Sequence, residues 1–266
     1  MKRKLHFSVT VVLLLITFFS KAQTDFTATY TFGSNGNVTS FAYNGATYDG
    51  VTFGNLEKVG VTSSSSTNNF RANGWPTGAT SGSNDFTGEV DLGKYFGFSV
   101  SPVAGYKISI DTIIFGVGRS STGTRQSQWR GSSDNYAAIL NNYAVLATNL
   151  TNNNGVLTNP DENSSWVGNK LTPGNTYDDL TSPAGFRFYL FNAEAATGTG
   201  GFQGVLTIKG TFVIAGGNIP PSITNITKTP SADITSTTAV HIGATINDTD
   251  GSISSAQVKW GTVTGT

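Results

Sequence analysis

Apolar residues recur at every second position in short runs, and clusters of Gly, Asn, Ser and Pro separate the runs. Such alternation turns one face of a strand to a core and the other to water. "TATYTFG" puts Ala28, Tyr30 and Phe32 on one face. "KYFGFSVSP" sets Phe96, Phe98 and Val100 against Tyr95, Gly97 and Ser99. "YKISIDTIIFGVG" supplies Ile108 and Ile110, then Ile113, Phe115 and Val117. The face switches at Asp111–Thr112, which predicts a turn or bulge there. "AGFRFYLFNA" sets Phe186, Phe188 and Leu190 against Arg187, Tyr189 and Phe191, and "FQGVLTIKGTFVI" closes the series. No segment has a helical period. The pattern predicts an all-β fold, an antiparallel, jelly-roll-like β-sandwich.

The two ends of the chain break this pattern. Lys2, Arg3 and Lys4 precede an apolar run from Phe7 to Phe19, and Ser20 and Ala22 are small residues suited to cleavage before Gln23. Residues 1–22 read as a secretory signal peptide. The run is short for a membrane span, which takes about 20 apolar residues. The expected mature chain is secreted or on the cell surface, with no span. Residues 23–214 are the expected sandwich. "AGGNIPPS", residues 215–222, reads as a linker loosened by glycine and extended by proline. Residues 223–266 begin a second β domain, with Val240, Ile242, Ala244 and Ile246 on one face, then Ala256, Val258 and Trp260. A tryptophan on the third strand is an immunoglobulin-like feature, and such a sandwich takes about 100 residues. This part reads as a truncated immunoglobulin-like domain, with further domains of the same chain expected beyond Thr266.

Composition narrows the chemistry. Losing Lys2, Arg3, Lys4 and Lys21 leaves 12 basic residues against 16 acidic ones, a net charge of −4. That balance does not favour nucleic acid, whose binding rests on Lys and Arg. There is no cysteine, so an exported chain of this kind folds on its core alone. His6 leaves with the signal peptide and His241 remains. A multi-histidine zinc site is excluded, and a Ser-His-Asp triad would have to use His241. Carboxylate-only chemistry passes the filter. Glu89, Asp91, Asp134, Asp178, Asp179 and Glu194 are present, but nothing in their spacing forces a pair. The expectation is no enzyme within this segment, no catalytic residues and no cofactor.

Three stretches carry a resemblance. They are "DLGKYFGFSVSPVAGYKISIDTIIFGVGRSSTG", "WRGSSDNYAAIL" and "FRFYLFNAEAATGTGGFQGVLTIKG". Together they resemble a β-sandwich module of exported multidomain bacterial proteins, over most of residues 70–212. Gly131 stands where that pattern usually has Ser, and "FQGVLTIKG" replaces its closing Leu-Asp-Asn. The tail "PPSITNITKTP…AVHIGATINDTDGSISSAQVKWGT" resembles an immunoglobulin- or fibronectin-like spacer. Such chains often continue into a secreted hydrolase or a type IX secretion sorting domain. The resemblance implies an accessory module. Its expected function is non-catalytic adhesion or substrate targeting, directed at extracellular glycans. The alternatives are the accessory N-terminus of a secreted nuclease or glycosidase, and a purely structural stalk.

The candidate site lies in "RSSTGTRQSQWRGSSDNY", residues 119–136, extended by Arg187 and Tyr189. One reading is a ligand shelf. Arg119, Arg130 and Arg187 would donate forked hydrogen bonds, and Trp129, Tyr136 and Tyr189 would stack on a ring. The other reading is structural: Arg130 and Arg187 each pair with an acid such as Asp134, which also caps the turn before "NYAAIL". Alternation turns Tyr189 away from the core face and makes it the best stacking candidate. Trp75 and Trp166 sit among turn residues; an exposed Trp in a loop can form a carbohydrate platform, but the preferred reading is that they plug the ends of the core. Asp248 and Asp250 in "NDTDGS" are a weak calcium candidate. Lys259 stands where an EF-hand loop needs Glu, so a tight Asp-Gly turn is preferred and no metal is expected.

Overall fold

The computed structural model describes residues 23–216, 222–229 and 241–247. The expectations for the signal peptide, for Asp248 and Asp250, and for Val258 and Trp260 concern residues outside this set. Residues Gln23–Ala215 form one compact unit. Its strands begin with β1 (Thr24–Thr31), β2 (Ser40–Phe41), β3 (Val51–Phe53), β4 (Leu56–Val59), β5 (Thr62–Ser63) and β6 (Asn69–Asn73). Then come β7 (Tyr95–Pro102), β8 (Tyr106–Arg119), β9 (Thr124–Gly131), β10 (Ile139–Leu140), β11 (Tyr143–Val145) and β12 (Thr151–Asn153). The last five are β13 (Val156–Thr158), β14 (Ser165–Leu171), β15 (Ala184–Ala193), β16 (Gly200–Gln203) and β17 (Val205–Ile214).

These strands make two antiparallel sheets. The first runs β1-β17-β8-β16-β6-β5, with β14 also on β8 and β11 on β14. The second runs β12-β13-β9-β15-β7-β4-β2, with β10 on β9 and β3 on β7. The predicted alternation sets the packing. Phe96, Phe98, Ile108, Ile110, Phe115, Phe186, Phe188 and Leu190 all lie in one buried cluster. Rings cross between the sheets: Phe202 meets Phe188 at 5.1 Å, Phe70 meets Phe96 at 5.2 Å and Phe115 meets Trp129 at 5.3 Å. Edge-to-face and offset contacts of this kind add to the area the rings bury. Trp75 and Trp166 are both buried in the cluster.

The face switch in β8 is a bulge. Thr112 opposes Lys209 and Ile110 opposes Gly210, so Asp111 is the extra residue. The strand continues through it, which lets β8 pair with β17 at one end and with β14 and β16 at the other. Gly131 also has a packing reason. A Cβ there would overlap the Tyr177 hydroxyl.

Beyond this unit, the described residues form one antiparallel ladder. Its strands are β18 (Ser222–Thr229) and β19 (His241–Asn247), with a register shift between Thr224 and Thr227. His241 is exposed on it.

Candidate functional site

The arginines of residues 119–136 do not share one shelf. Arg119 is fully buried and lies in an ion cluster with Arg125, Asp161 and Glu194. Arg119 Nη1 donates to Asp161 Oδ1 at 3.0 Å, and its Nη2 donates to Glu194 and to the Ser121 carbonyl. Arg125 donates to the Asn159 carbonyl (3.1 Å), the Ser83 carbonyl (2.9 Å) and Asn84 Oδ1 (2.7 Å). The cluster therefore ties four loops at one end of the sandwich. The Gly82 amide and Arg119 hold the Asp161 carboxyl down at about 2. Burial pushes Glu194 above its ordinary value, with the neighbouring Asp161 adding to the rise. Arg119 is a structural tie and not a shelf residue.

Arg130 and Asp134 do not pair. Asp134 sits in a one-turn 3₁₀ helix and accepts from the Ala137 and Ala138 amides at 3.1 and 2.7 Å. Arg130 Nη1 donates to the Tyr136 and Ala137 carbonyls at 3.1 and 2.9 Å. Its Nε and Nη2 reach the Gln128 amide oxygen at 2.9 and 3.0 Å once that amide is oriented to suit both groups. Both side chains hold the same loop, but through backbone groups instead of through each other. The reason is geometric. The 3₁₀ turn points the carboxylate at the free amides that follow it, where it meets two donors.

Tyr189 does face away from the core, as alternation predicts, yet it is fully buried. Its ring packs 5.6 Å from Tyr95, and Arg130 lies 5.7 Å from its centroid. Its hydroxyl is buried beside Arg187 without a well-aligned hydrogen bond. Tyr189 therefore offers no open face for stacking, and the shelf built around it does not form.

What remains open is a clamp. The Arg187 guanidinium lies 3.7 Å from the Tyr136 ring centroid and 4.3 Å from that of Tyr95. All three residues are half-buried. Two glycines make room for the rings. A Cβ at Gly185 would collide with the Tyr136 hydroxyl, and one at Gly97 would stand 3.0 Å from the Tyr95 ring. Tyr136 itself is held at φ 63 and Asn135 at φ 58, left-handed values that a bulky residue rarely adopts. Burial raises the Tyr136 phenol above its ordinary value, and Arg187 opposes the rise.

A second feature occupies the same outer face. Phe191, Gln126, Thr158 and Thr151 are cross-strand partners in sequence, from β15 through β9 and β13 to β12. They floor an open groove of about 610 Å³, walled by Asn84, Phe86, Asn149, Asn153, Asn159 and others. No charged side chain lines it. Gln126 is fixed by its neighbours: Asn192 Nδ2 donates to its Oε1 at 2.7 Å, and its Nε2 donates to Thr158 Oγ1 at 3.2 Å. Sequence reasoning missed this groove. Its walls come from residues 84 to 191, and the one local run among them, "ATNLTNNNG", has the composition of an ordinary loop.

Two further charged groups, Lys58 and Asp111, lie outside the clamp and the groove. Lys58 Nζ is buried and donates to the Gly36 carbonyl, Ser63 Oγ and Ser65 Oγ at 2.9, 2.6 and 3.0 Å, and desolvation lowers it to about 8. Asp111 is raised by burial and by Asp178 and Asp25 nearby. Among the described residues, no group of three or more His, Cys, Asp or Glu is placed to hold a metal ion. No helix among them is long and apolar enough to cross a membrane. No protein-family model, curated protein or solved structure matches the chain.

Proposed function

We propose that the sandwich is a non-catalytic, glycan-directed binding module of a larger secreted or surface protein, serving adhesion or substrate targeting. The observation that supports this reading is the neutral groove on the outer face of the second sheet. Its polar lining is amide and hydroxyl: Gln126, Thr151, Thr158 and the asparagines. Such groups both donate and accept, which suits the hydroxyls of a sugar. Phe86 adds apolar ring surface for the C–H face of a pyranose, and the buried Phe191 supports the floor beneath. The Gln126 amide is held between Asn192 and Thr158 before any ligand arrives, so little freedom is lost on binding.

The test is a glycan array probed with the purified protein, followed by calorimetry on any hit. Gln126→Ala is expected to weaken binding by about tenfold, the effect of losing one or two hydrogen bonds. A folded protein that binds no glycan on the array, or a hit indifferent to Gln126, refutes the reading.

A further inference from the structure

We infer that the Tyr95–Arg187–Tyr136 clamp is an oxyanion subsite, which selects glycans bearing carboxylate or sulfate groups. This rests on the glycan reading above and names the substrate class that reading leaves open.

Arg187 stands on the same face as the groove. It lies four residues along β15 from Phe191, a separation of about 14 Å at the rise of an extended strand. Two tyrosine rings pack against its guanidinium, at 3.7 Å and 4.3 Å from their centroids. The N–H groups at its edge are the part left for a partner. Among the described residues, no carboxylate lies within ion-pair distance of it. The nearby acids are engaged elsewhere. Asp134 accepts from the Ala137 and Ala138 amides. Glu57, which lies beyond Gly97 in the same cross-strand row, accepts from Ser40 Oγ at 2.6 Å.

Arg130, the cross-strand neighbour of Arg187, shows what a purely structural arginine looks like on this face. Its donors meet the Tyr136 and Ala137 carbonyls and the Gln128 amide oxygen. Both arginines lie over a tyrosine ring, but Arg130 also donates to oxygens, whereas Arg187 is held by its two rings. Stacking fixes the plane of the fork; one side of it lies beside the buried Tyr189 hydroxyl, and the rest of its hydrogen-bonding edge is left for a ligand. A planar fork held in one plane matches the paired oxygens of a carboxylate or sulfate. The backbone is arranged around this outcome. Tyr136 takes a left-handed conformation, and Gly97 and Gly185 leave the space the two rings occupy. Strain of that kind persists where the surroundings over-determine it, as they do at ligand clamps.

The experiment compares three oligosaccharides of equal length by calorimetry: an oligogalacturonate, a sulfated galactan oligomer and a neutral galactan oligomer. Wild-type protein is expected to prefer one or both acidic oligomers, and the two acidic arms tell carboxylate from sulfate. Arg187→Gln should lower the acidic-to-neutral affinity ratio by about tenfold, and Arg187→Lys should fall between. Added salt should weaken the acidic complex and spare the neutral one. That measurement needs only the wild-type protein, so it stands even if a variant does not fold. Equal, salt-independent affinity for acidic and neutral oligomers overturns the subsite and leaves the glycan reading intact. An acidic preference that survives Arg187→Gln also overturns it. Acidic binding that depends on Arg187 but ignores Gln126→Ala keeps the subsite and removes the groove. No binding to any oligomer overturns both.

Discussion

Arg119 and Arg187 lie in the same sandwich and meet opposite fates. Arg119 is fully buried, and it is met by two carboxylates and two carbonyl groups. Arg187 is half-buried, and it is met by two rings and no carboxylate among the described residues. Burial explains the contrast. A cation taken fully out of water must be paired and hydrogen-bonded, or its desolvation is prohibitive. A cation at the surface keeps part of its hydration and can stay unpaired. Completeness of pairing therefore separates an arginine that holds the fold from one that is available to a ligand.

The comparison breaks first, and most visibly, at Arg119. Arg119→Ala takes the hydrogen-bonded partner from Glu194, whose side chain is 4% exposed, and leaves it only the longer contact to Arg125 at 3.8 Å. Stripping one member from a buried pair costs about 3–5 kcal/mol. Urea unfolding should show a loss of that size. A loss under about 1 kcal/mol, the scale of exposed pairs, would mean that the cluster is solvated and that the contrast with Arg187 is false.

Arg130→Ala should have a middle effect. It removes the donors that hold the Tyr136 and Ala137 carbonyls, and it leaves no buried charge behind. A loss of about 1–2 kcal/mol is expected for these partly exposed bonds. The same substitution should loosen the loop that carries Tyr136, seen as faster amide exchange at Ala137 and Ala138. A loss as large as that for Arg119 would show that Arg130 has a carboxylate partner after all.

A smaller effect appears in the acid limb of stability. Asp161 is held down at about 2 from an ordinary 3.8, first by the Gly82 amide. Its folded form binds a proton less readily than its unfolded form. Its contribution is present above the ordinary value and is lost as pH falls through about 2. Glu194 is raised, so its sign is opposite: its contribution is present below its ordinary value and is lost as pH rises. Asp161→Asn should therefore flatten the fall in stability below about pH 4, measured by urea unfolding across that range. The clamp contains no carboxylate, so Arg187→Gln should leave this slope as it was. A slope that responds to Arg187 would couple two regions that the structure keeps apart.

These contrasts mark where the sequence could be read and where it could not. Alternation placed Phe96, Phe98, Phe186, Phe188 and Leu190 in the core and found the bulge at Asp111, because both depend on neighbours along one strand. It also placed Tyr189 on the outer face. It could not say that this face is covered there, since period two reports a side of the sheet and not what lies on it. Arg119 was misread for a different reason. Its partners Asp161 and Glu194 are 42 and 75 residues away, whereas Asp134 is four residues from Arg130 and drew attention by proximity. The groove is still less local, because a cross-strand row of Phe191, Gln126, Thr158 and Thr151 exists only after four strands have paired.

The finest test of the contrast should barely touch stability. Gly185→Ala adds one methyl group where the Tyr136 hydroxyl now sits. The clash falls on the far end of a side chain that is only half-buried, so the ring can swing away without moving the sheet. A surface change of this kind is expected to alter stability by about 0.5 kcal/mol or less. Its effect on the clamp should be much greater, because a displaced Tyr136 no longer stacks on Arg187 and the fork is free to rotate. Near-ultraviolet circular dichroism should report the moved tyrosine, and the preference for acidic over neutral oligosaccharide should fall with it. The same change near Arg119 would not have this character, since that guanidinium is fixed by carboxylates and carbonyls instead of by rings. If Gly185→Ala unfolds the protein, the stack is part of the core and Arg187 is as structural as Arg119. If the protein stays folded and keeps its acidic preference, the rings do not aim the fork, and Tyr136 is held in its left-handed turn for some other reason.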